Sequence, residues 1–241
     1  MHPNEYAIMF RVEETHWWYS ALHRLLVQAL ETYLPDWREK RILDAGCGTG
    51  AILKRLGSPE RNIGIDLAPE AISLCRERGL DNVIQGDICA LPFEEASFDA
   101  VICSSVLYHE WVPNIPRAFH EFHRVLRPGG FLLINVPAFA FLHSAHDDAV
   151  MTARRFKKKE IKDLLQSENF EICRLTYWTT FLFPLAVAAR TLGGSKMGRD
   201  FETAEMSFAQ RVLGKIMGIE LSLLKRCSFP FGVALFAVAR K

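Results

Sequence analysis

Asp44-Ala45-Gly46-Cys47-Gly48-Thr49-Gly50 sets three glycines at alternate positions directly behind an acidic residue. A short apolar run, Arg41-Ile42-Leu43, leads into it and a helical pattern over 51–56 follows, so it reads as strand, glycine turn and helix. Glycines at alternate positions let backbone N–H groups and a helix N-terminus approach a bound ligand, because no side chain obstructs them. The same turn satisfies the dinucleotide pattern G-x-G-x-x-A through Gly46, Gly48 and Ala51, with Asp66 about twenty residues on, where a ribose-binding acid is expected. By itself, then, the turn serves a nicotinamide dehydrogenase nearly as well as any other nucleotide-binding enzyme.

Outward from the turn the texture is regular. A strand over 62–67 runs into a helix opening with Pro69-Glu70, and further strands fall at 83–85, 98–104, 131–136 and 170–177. Helices at 115–126 and 158–167 lie between them, and 233–239 reads as a closing strand. Such alternation predicts a mostly parallel sheet with helices on both faces. The first forty residues read as helix, with Trp17, Leu22, Leu25, Leu26 and Leu30 at helical spacing until Pro35. Between Trp178 and Pro230 the rhythm breaks into two or three helical pieces separated by Gly193-Gly194 and Gly198. The expected plan is a helical cap over 1–39, a core over 40–178 and 231–241, and a helical insertion over 179–230.

Composition narrows the function classes. The 241 residues are 49% hydrophobic and 24% charged, enough apolar side chain for one elaborated domain with a sizeable core. With 29 Lys+Arg against 28 Asp+Glu and no long basic stripe, nucleic acid is not the expected substrate. The six cysteines are scattered with no C-x-x-C pair, which suggests neither a zinc site nor a disulfide framework and fits reduced thiols in the cytoplasm. Met1-His2-Pro3-Asn4-Glu5 lacks the basic and apolar regions of a signal peptide, and the apolar stretch from Phe181 to Ala189 is broken by Pro184. That stretch is far short of the roughly 20 residues that cross a bilayer.

Five motifs in order settle what the turn alone leaves open. They are 44–50, Gly64-Ile65-Asp66-Leu67, Gly86-Asp87-Ile88, Phe98-Asp99-Ala100-Val101 and Leu126-Arg127-Pro128-Gly129-Gly130. Together they resemble the class I S-adenosylmethionine-dependent methyltransferases, specifically the small-molecule group that includes the quinone-biosynthesis enzymes. The resemblance implies a Rossmann-like α/β fold, a seven-stranded mostly parallel sheet with an antiparallel last strand. It also implies S-adenosylmethionine as methyl donor, S-adenosylhomocysteine as product and a small-molecule acceptor methylated at oxygen, nitrogen or carbon. On it, Asp44, Ala45, Gly46, Cys47, Gly48 and Gly50 form the loop beside the methionine part of the donor. Asp66 and Leu67 serve the ribose, Asp87 and Ile88 the adenine, and Ser104 and Tyr19 complete the cofactor site. Carboxylates also suit a sulfonium cation and sugar hydroxyls better than pyrophosphate. A catalytically inactive scaffold that keeps the fold and partners another protein is the alternative.

The acceptor side is less explicit. The Asn/Asp-Pro-Pro-Tyr of enzymes that methylate nucleobase or glutamine nitrogens is absent near Ser104-Ser105-Val106-Leu107, which points toward a small molecule. Tyr108-His109 stands where quinone-type relatives carry Glu-His, so a metal-assisted mechanism is not carried over, and no resident metal is expected. His109 is the candidate base, or else it hydrogen-bonds the cofactor loop or caps the next helix. His143 and His146 in the following loop are candidates for acceptor contact, Tyr108 and Arg155 for substrate binding. The cluster His16-Trp17-Trp18-Tyr19 either lids the pocket or packs against the sheet. The insertion over 179–230 encloses an apolar, lipid-like acceptor, makes a dimer contact, or lies on a membrane surface, with the first two favoured. A monomer and a homodimer are both compatible with the sequence.

Overall fold

A computed structural model describes residues 3–191 and 208–241. Helices α1 (Pro3–Val12) and α2 (Trp17–Tyr33) precede β1 (Ile42–Ala45), α3 (Ala51–Leu56), β2 (Ile63–Asp66), α4 (Pro69–Glu77), β3 (Val83–Gln85) and β4 (Phe98–Ser104). Then come α5 (Ile115–Val125), β5 (Leu126–Pro137), α6 (Ala145–Ala149), α7 (Lys158–Ser167), β6 (Glu171–Trp178), α8 (Phe183–Thr191), α9 (Phe208–Leu224) and β7 (Ala234–Arg240).

The seven strands form one sheet in the order β3-β2-β1-β4-β5-β7-β6. β1 pairs in parallel with β2 and β4, while β7 runs antiparallel to both β5 and β6. The chain leaves β1 in both directions across the sheet, so the crevice beyond the carboxyl ends of β1 and β4 is the switch point where α/β proteins bind ligands. Asp44, Asp66, Gln85 and Ser104 all sit at or next to strand carboxyl ends along this edge.

Pleating divides the core between the faces. Ile42, Ala100, Ile102, Leu133, Phe236 and Val238 pack with Leu22, Leu26 and Leu30 of α2 and with Leu213, Met217 and Leu221 of α9. Leu43, Val101, Cys103, Leu132, Ile134 and Leu235 pack on the opposite face with Phe119 and Phe122 of α5 and Ile161 and Leu165 of α7. β7 lies between two strands and under helices on both sides, which explains its unbroken run of buried residues from Ala234 to Ala239.

Two expected boundaries change. The N-terminal helix is two helices, because His16 caps the second by accepting the Trp18 N–H at Nδ1 (3.3 Å), while Glu13 turns inward. β5 begins at Leu126 rather than 131: Leu126 pairs with Phe98 before the register shifts to Ala100 and Phe131. The intervening bulge needs Gly130, where a Cβ would lie 3.0 Å from the Asp99 carbonyl oxygen and 2.9 Å from that of Arg127. The expected insertion contains α8 and α9, and Gly193, Gly194 and Gly198 lie outside the described residues.

Candidate functional site

A cavity of about 470 Å³ opens along the carboxyl edge of the sheet. Its floor is the glycine turn. The Gly46 and Cys47 N–H groups both donate to the Ile65 carbonyl (2.7 and 3.0 Å), which folds the loop back over β2. Gly46 has φ +85°, and a Cβ there would fall 2.2 Å from Val106 Cγ2, so only glycine fits. Gly48 donates its N–H to Asp66 Oδ2 (2.8 Å) and Ala68 donates to Oδ1 (3.0 Å). The Asp66 carboxylate is thereby oriented by two backbone N–H groups. Asp87 is held similarly, accepting the Cys89 N–H at 2.8 Å, with Gly86 and Ile88 beside it in the wall.

Asp44 is the anomaly of the site. It is 3% exposed, and its Oδ2 has no hydrogen-bond partner among the described residues. Burial first, then the carboxylates of Asp66 and Glu13, push it up to about 8. The Ser104 hydroxyl in the same wall is also buried without a partner. Two unsatisfied polar groups facing one cavity mark a place built for a ligand that satisfies them.

The N-terminal helices form the roof. Tyr6 and Met9 of α1 line the cavity, and a Cβ on Gly48 would lie 2.8 Å from Met9 Cε. Behind them Arg78, at the end of α4, donates to Glu13 Oε1 (2.5 Å), to the Thr49 carbonyl (2.8 Å) and to Glu14, and its guanidinium lies over the Phe10 ring at 4.5 Å. Thr49 donates to Glu13. One buried arginine thus fastens the roof to the glycine loop. In the aromatic cluster, Trp18 and Tyr19 line the cavity, and Trp18 stacks on Trp178 at 6.0 Å. His23, also in the wall, accepts from Arg55 Nε (3.0 Å), and burial lowers it to about 3, so it is neutral.

Across from the turn, Ser105, Val106, Tyr108, His109, Trp111, Val112 and Val150 form the remaining wall. Ser105 takes φ +62° and is braced by Asn135, whose amide donates to its hydroxyl (3.1 Å) and whose oxygen accepts from Trp178 Nε1 (2.8 Å). Burial lowers His109 to about 4, and its Nδ1 has no partner among the described residues. The imidazole is therefore neutral at physiological pH. Tyr108 lies against it, ring centroids 4.3 Å apart.

Several expected site residues sit elsewhere. Ala45 is fully buried behind the turn, and Gly50 is the left-handed N-cap of α3; neither lines the cavity. Arg155 is committed to a buried pair with Asp147 (2.8 and 3.0 Å) and to the Ala138 carbonyl (3.0 Å), so it braces the loop instead of facing an acceptor. Asp147 also accepts from the N–H and hydroxyl of Ser144. His143 is outside the cavity wall, 3.5 Å from Asp148, and the side chain of His146 lies outside what the structure describes. Among the described residues of the 179–230 insertion, none lines the cavity. Tyr6, Met9 and Glu13 went unnoticed in the sequence; the i, i+3 spacing of Tyr6 and Met9, which puts them on one side of α1 with Glu13 just past its end, was the available signal.

Residues 43–134 match the family model described as a methyltransferase domain. The chain is 34% identical over 116 residues to malonyl-[acyl-carrier protein] O-methyltransferase of Pectobacterium atrosepticum, covering 47% of this chain and 45% of that protein. It is 42% identical over 100 residues to phthiotriol/phenolphthiotriol dimycocerosates methyltransferase of Mycobacterium leprae, covering 39% and 36%. The chain spans less than half the length of each of these relatives. Among solved structures, S-adenosylmethionine-dependent methyltransferases of Thermotoga maritima and Mesorhizobium loti superpose with TM-scores of 0.59 and 0.60, at 20% and 18% identity. The first alignment covers 99% of this chain and 95% of the other, the second 90% and 98%. Residues 43–134 thus match a methyltransferase domain, and the chain around them has the fold of the class I S-adenosylmethionine-dependent methyltransferases.

Proposed function

We propose that this protein binds S-adenosylmethionine in the cavity and transfers its methyl group to an uncharged, largely apolar small molecule. The observation that carries this reading is Asp44, a buried carboxyl with one oxygen unpartnered and its proton affinity raised, facing a cavity whose wall also holds Asp66 and Asp87. Such a group fits a cationic amine, and Asp66 at the end of β2 fits vicinal hydroxyls. The rival dinucleotide would bring a pyrophosphate against Asp66, Glu70 and Asp87, all in the wall, where like charges repel. Bound there, the donor supplies a methyl carbon activated by positive sulfur, and in-line displacement then needs mainly positioning.

This chain's residues do the positioning. Asp44 and Asp66 hold the donor's charged and sugar parts, Asp87 and Ile88 its base, and the roof of Tyr6, Met9 and Trp18 excludes water. Tyr108, Trp111, Trp18 and Tyr19 offer aromatic surface to an acceptor, and among the described lining residues no lysine or arginine offers an anion a partner. A neutral His109 is in the form that accepts a proton from an acceptor hydroxyl. The setting that suits these features is cytoplasmic, with a small-molecule rather than nucleic-acid substrate. No described helix is long and apolar enough to cross a membrane.

Turnover separates this from an inactive scaffold. Incubation with labelled S-adenosylmethionine and a panel of phenols, alcohols and lipid extracts is expected to consume donor and release S-adenosylhomocysteine. Tight donor binding with no consumption across the panel contradicts the enzyme reading and favours the scaffold.

A further inference from the structure

Helix α9 is apolar on two sides. Its inner side, Leu213, Met217, Leu221 and Leu224, is buried in the core beside α2. Its outer side carries Phe208 (78% exposed), Val212, Ile219 (59%) and Leu223, a run of large apolar groups at i, i+4, i+11 and i+15 that no described residue covers. Arg211 and Lys215 are exposed among them, and Lys225 and Arg226 are exposed just beyond the last turn. None of these four cations makes an ion pair among the described residues, and the helix's one acid, Glu220, is buried and accepts the Phe181 N–H at 3.0 Å. Phe181, tied to α9 by that bond, begins a second set of exposed apolar groups. Phe181 packs on Phe229, and Phe231 packs on Phe183, which in turn meets Phe141. Phe141, Phe181, Leu185 and Phe231 are all exposed.

A surface helix with large apolar groups interleaved by cations and no exposed acid has the composition of an interfacial helix on an anionic bilayer. Long basic side chains there keep their charge at the headgroups while their stems cover apolar surface. A second copy of the chain fits the same face poorly. A two-fold interface sets a patch against itself, so Arg211, Lys215, Lys225 and Arg226 would meet their own counterparts, and among the described residues of α9 no exposed acid is present to neutralise them. The apolar side chains invite burial, and the charges select who supplies it.

We propose that the outer face of α9, with the adjoining Phe181 and Phe231, docks the protein on the surface of an anionic lipid bilayer. The proposal does not depend on methyl transfer, since none of these residues lines the cofactor cavity. The test is co-sedimentation of the full chain with phosphatidylcholine vesicles containing phosphatidylglycerol, and with phosphatidylcholine vesicles alone, at low and high salt. Binding only to the anionic vesicles, weakened by salt and reduced at least tenfold in both Ile219→Glu/Leu223→Glu and Arg211→Glu/Lys215→Glu, is the expected result. The substituted positions are exposed, so both variants should keep the wild-type melting temperature and affinity for S-adenosylhomocysteine, which shows that they fold. Failure to bind anionic vesicles, or equal binding to neutral ones, overturns the proposal. So does sedimentation of the free protein as a dimer that Ile219→Glu/Leu223→Glu dissociates, which would give the face to a second copy.

Discussion

Asp44 and Asp66 stand at the ends of neighbouring strands with different debts. Asp66 already accepts two backbone N–H groups, whereas Asp44 has an oxygen with no partner. Burial, and then the neighbouring carboxylates, push Asp44 up to about 8 from an ordinary 3.8. The folded chain therefore holds a proton that the unfolded chain has lost across that window. The stability this gives is complete below about pH 4 and drains away as pH rises toward 8. A ligand cation that demands the ionised form must expel that proton. S-adenosylhomocysteine is thus expected to bind with release of close to one proton at pH 6 and to gain up to about tenfold in affinity per pH unit until pH 8. Calorimetry in buffers of differing ionisation enthalpy reads the proton directly; no release, and affinity flat with pH, would remove Asp44 from the cation's site. Asp66→Ala is expected to weaken the same ligand by well over tenfold, since each charge-assisted hydrogen bond is worth roughly 1.5–3 kcal/mol.

Two arginines act at the scale of elements, and neither lines the cavity. Arg78 joins the α1–α2 connection to the glycine loop through Glu13, Glu14 and the Thr49 carbonyl. Arg78→Gln should loosen the roof and speed dissociation of S-adenosylhomocysteine about tenfold in stopped-flow measurements, leaving the floor of the site in place. An unchanged dissociation rate would mean that the roof does not gate the cavity. Arg155 fixes the loop after β5 through Asp147, both about 5% exposed. Asp147→Ala strands a buried guanidinium, at a cost of roughly 3–5 kcal/mol. In a chain of this length that lowers the melting temperature by about 10 °C. Removing both charges in Asp147→Ala/Arg155→Met should recover part of the loss.

Across the whole molecule, most strands and helices from residue 41 to 178 were legible because apolar runs alternate with helical periods and glycines punctuate the turns; α6 and the first residues of β5, which lie in stretches read as loop, were not. The carboxyl edge was legible too, since Asp44, Asp66 and Asp87 follow strands whose order the motifs fix. Arg155 was misread because sequence shows a charge and conceals its partner; only the fold puts Asp147 against it. The roof was missed because Tyr6 and Met9 of α1 and Glu13 just beyond it are held by a contact to Thr49, 36 residues on from Glu13, and another to Arg78, 65 residues on. The insertion's apolar residues were visible, yet which side of α9 faces outward depends on how it packs beside α2.

Titration of the folded protein with S-adenosylhomocysteine and, separately, with NADH tests the central claim most directly. One molecule of S-adenosylhomocysteine per chain should bind and raise the melting temperature, with NADH giving neither heat nor stabilisation. No binding of S-adenosylhomocysteine by folded protein, or a preference for NADH, would contradict the methyl-donor reading of the glycine turn.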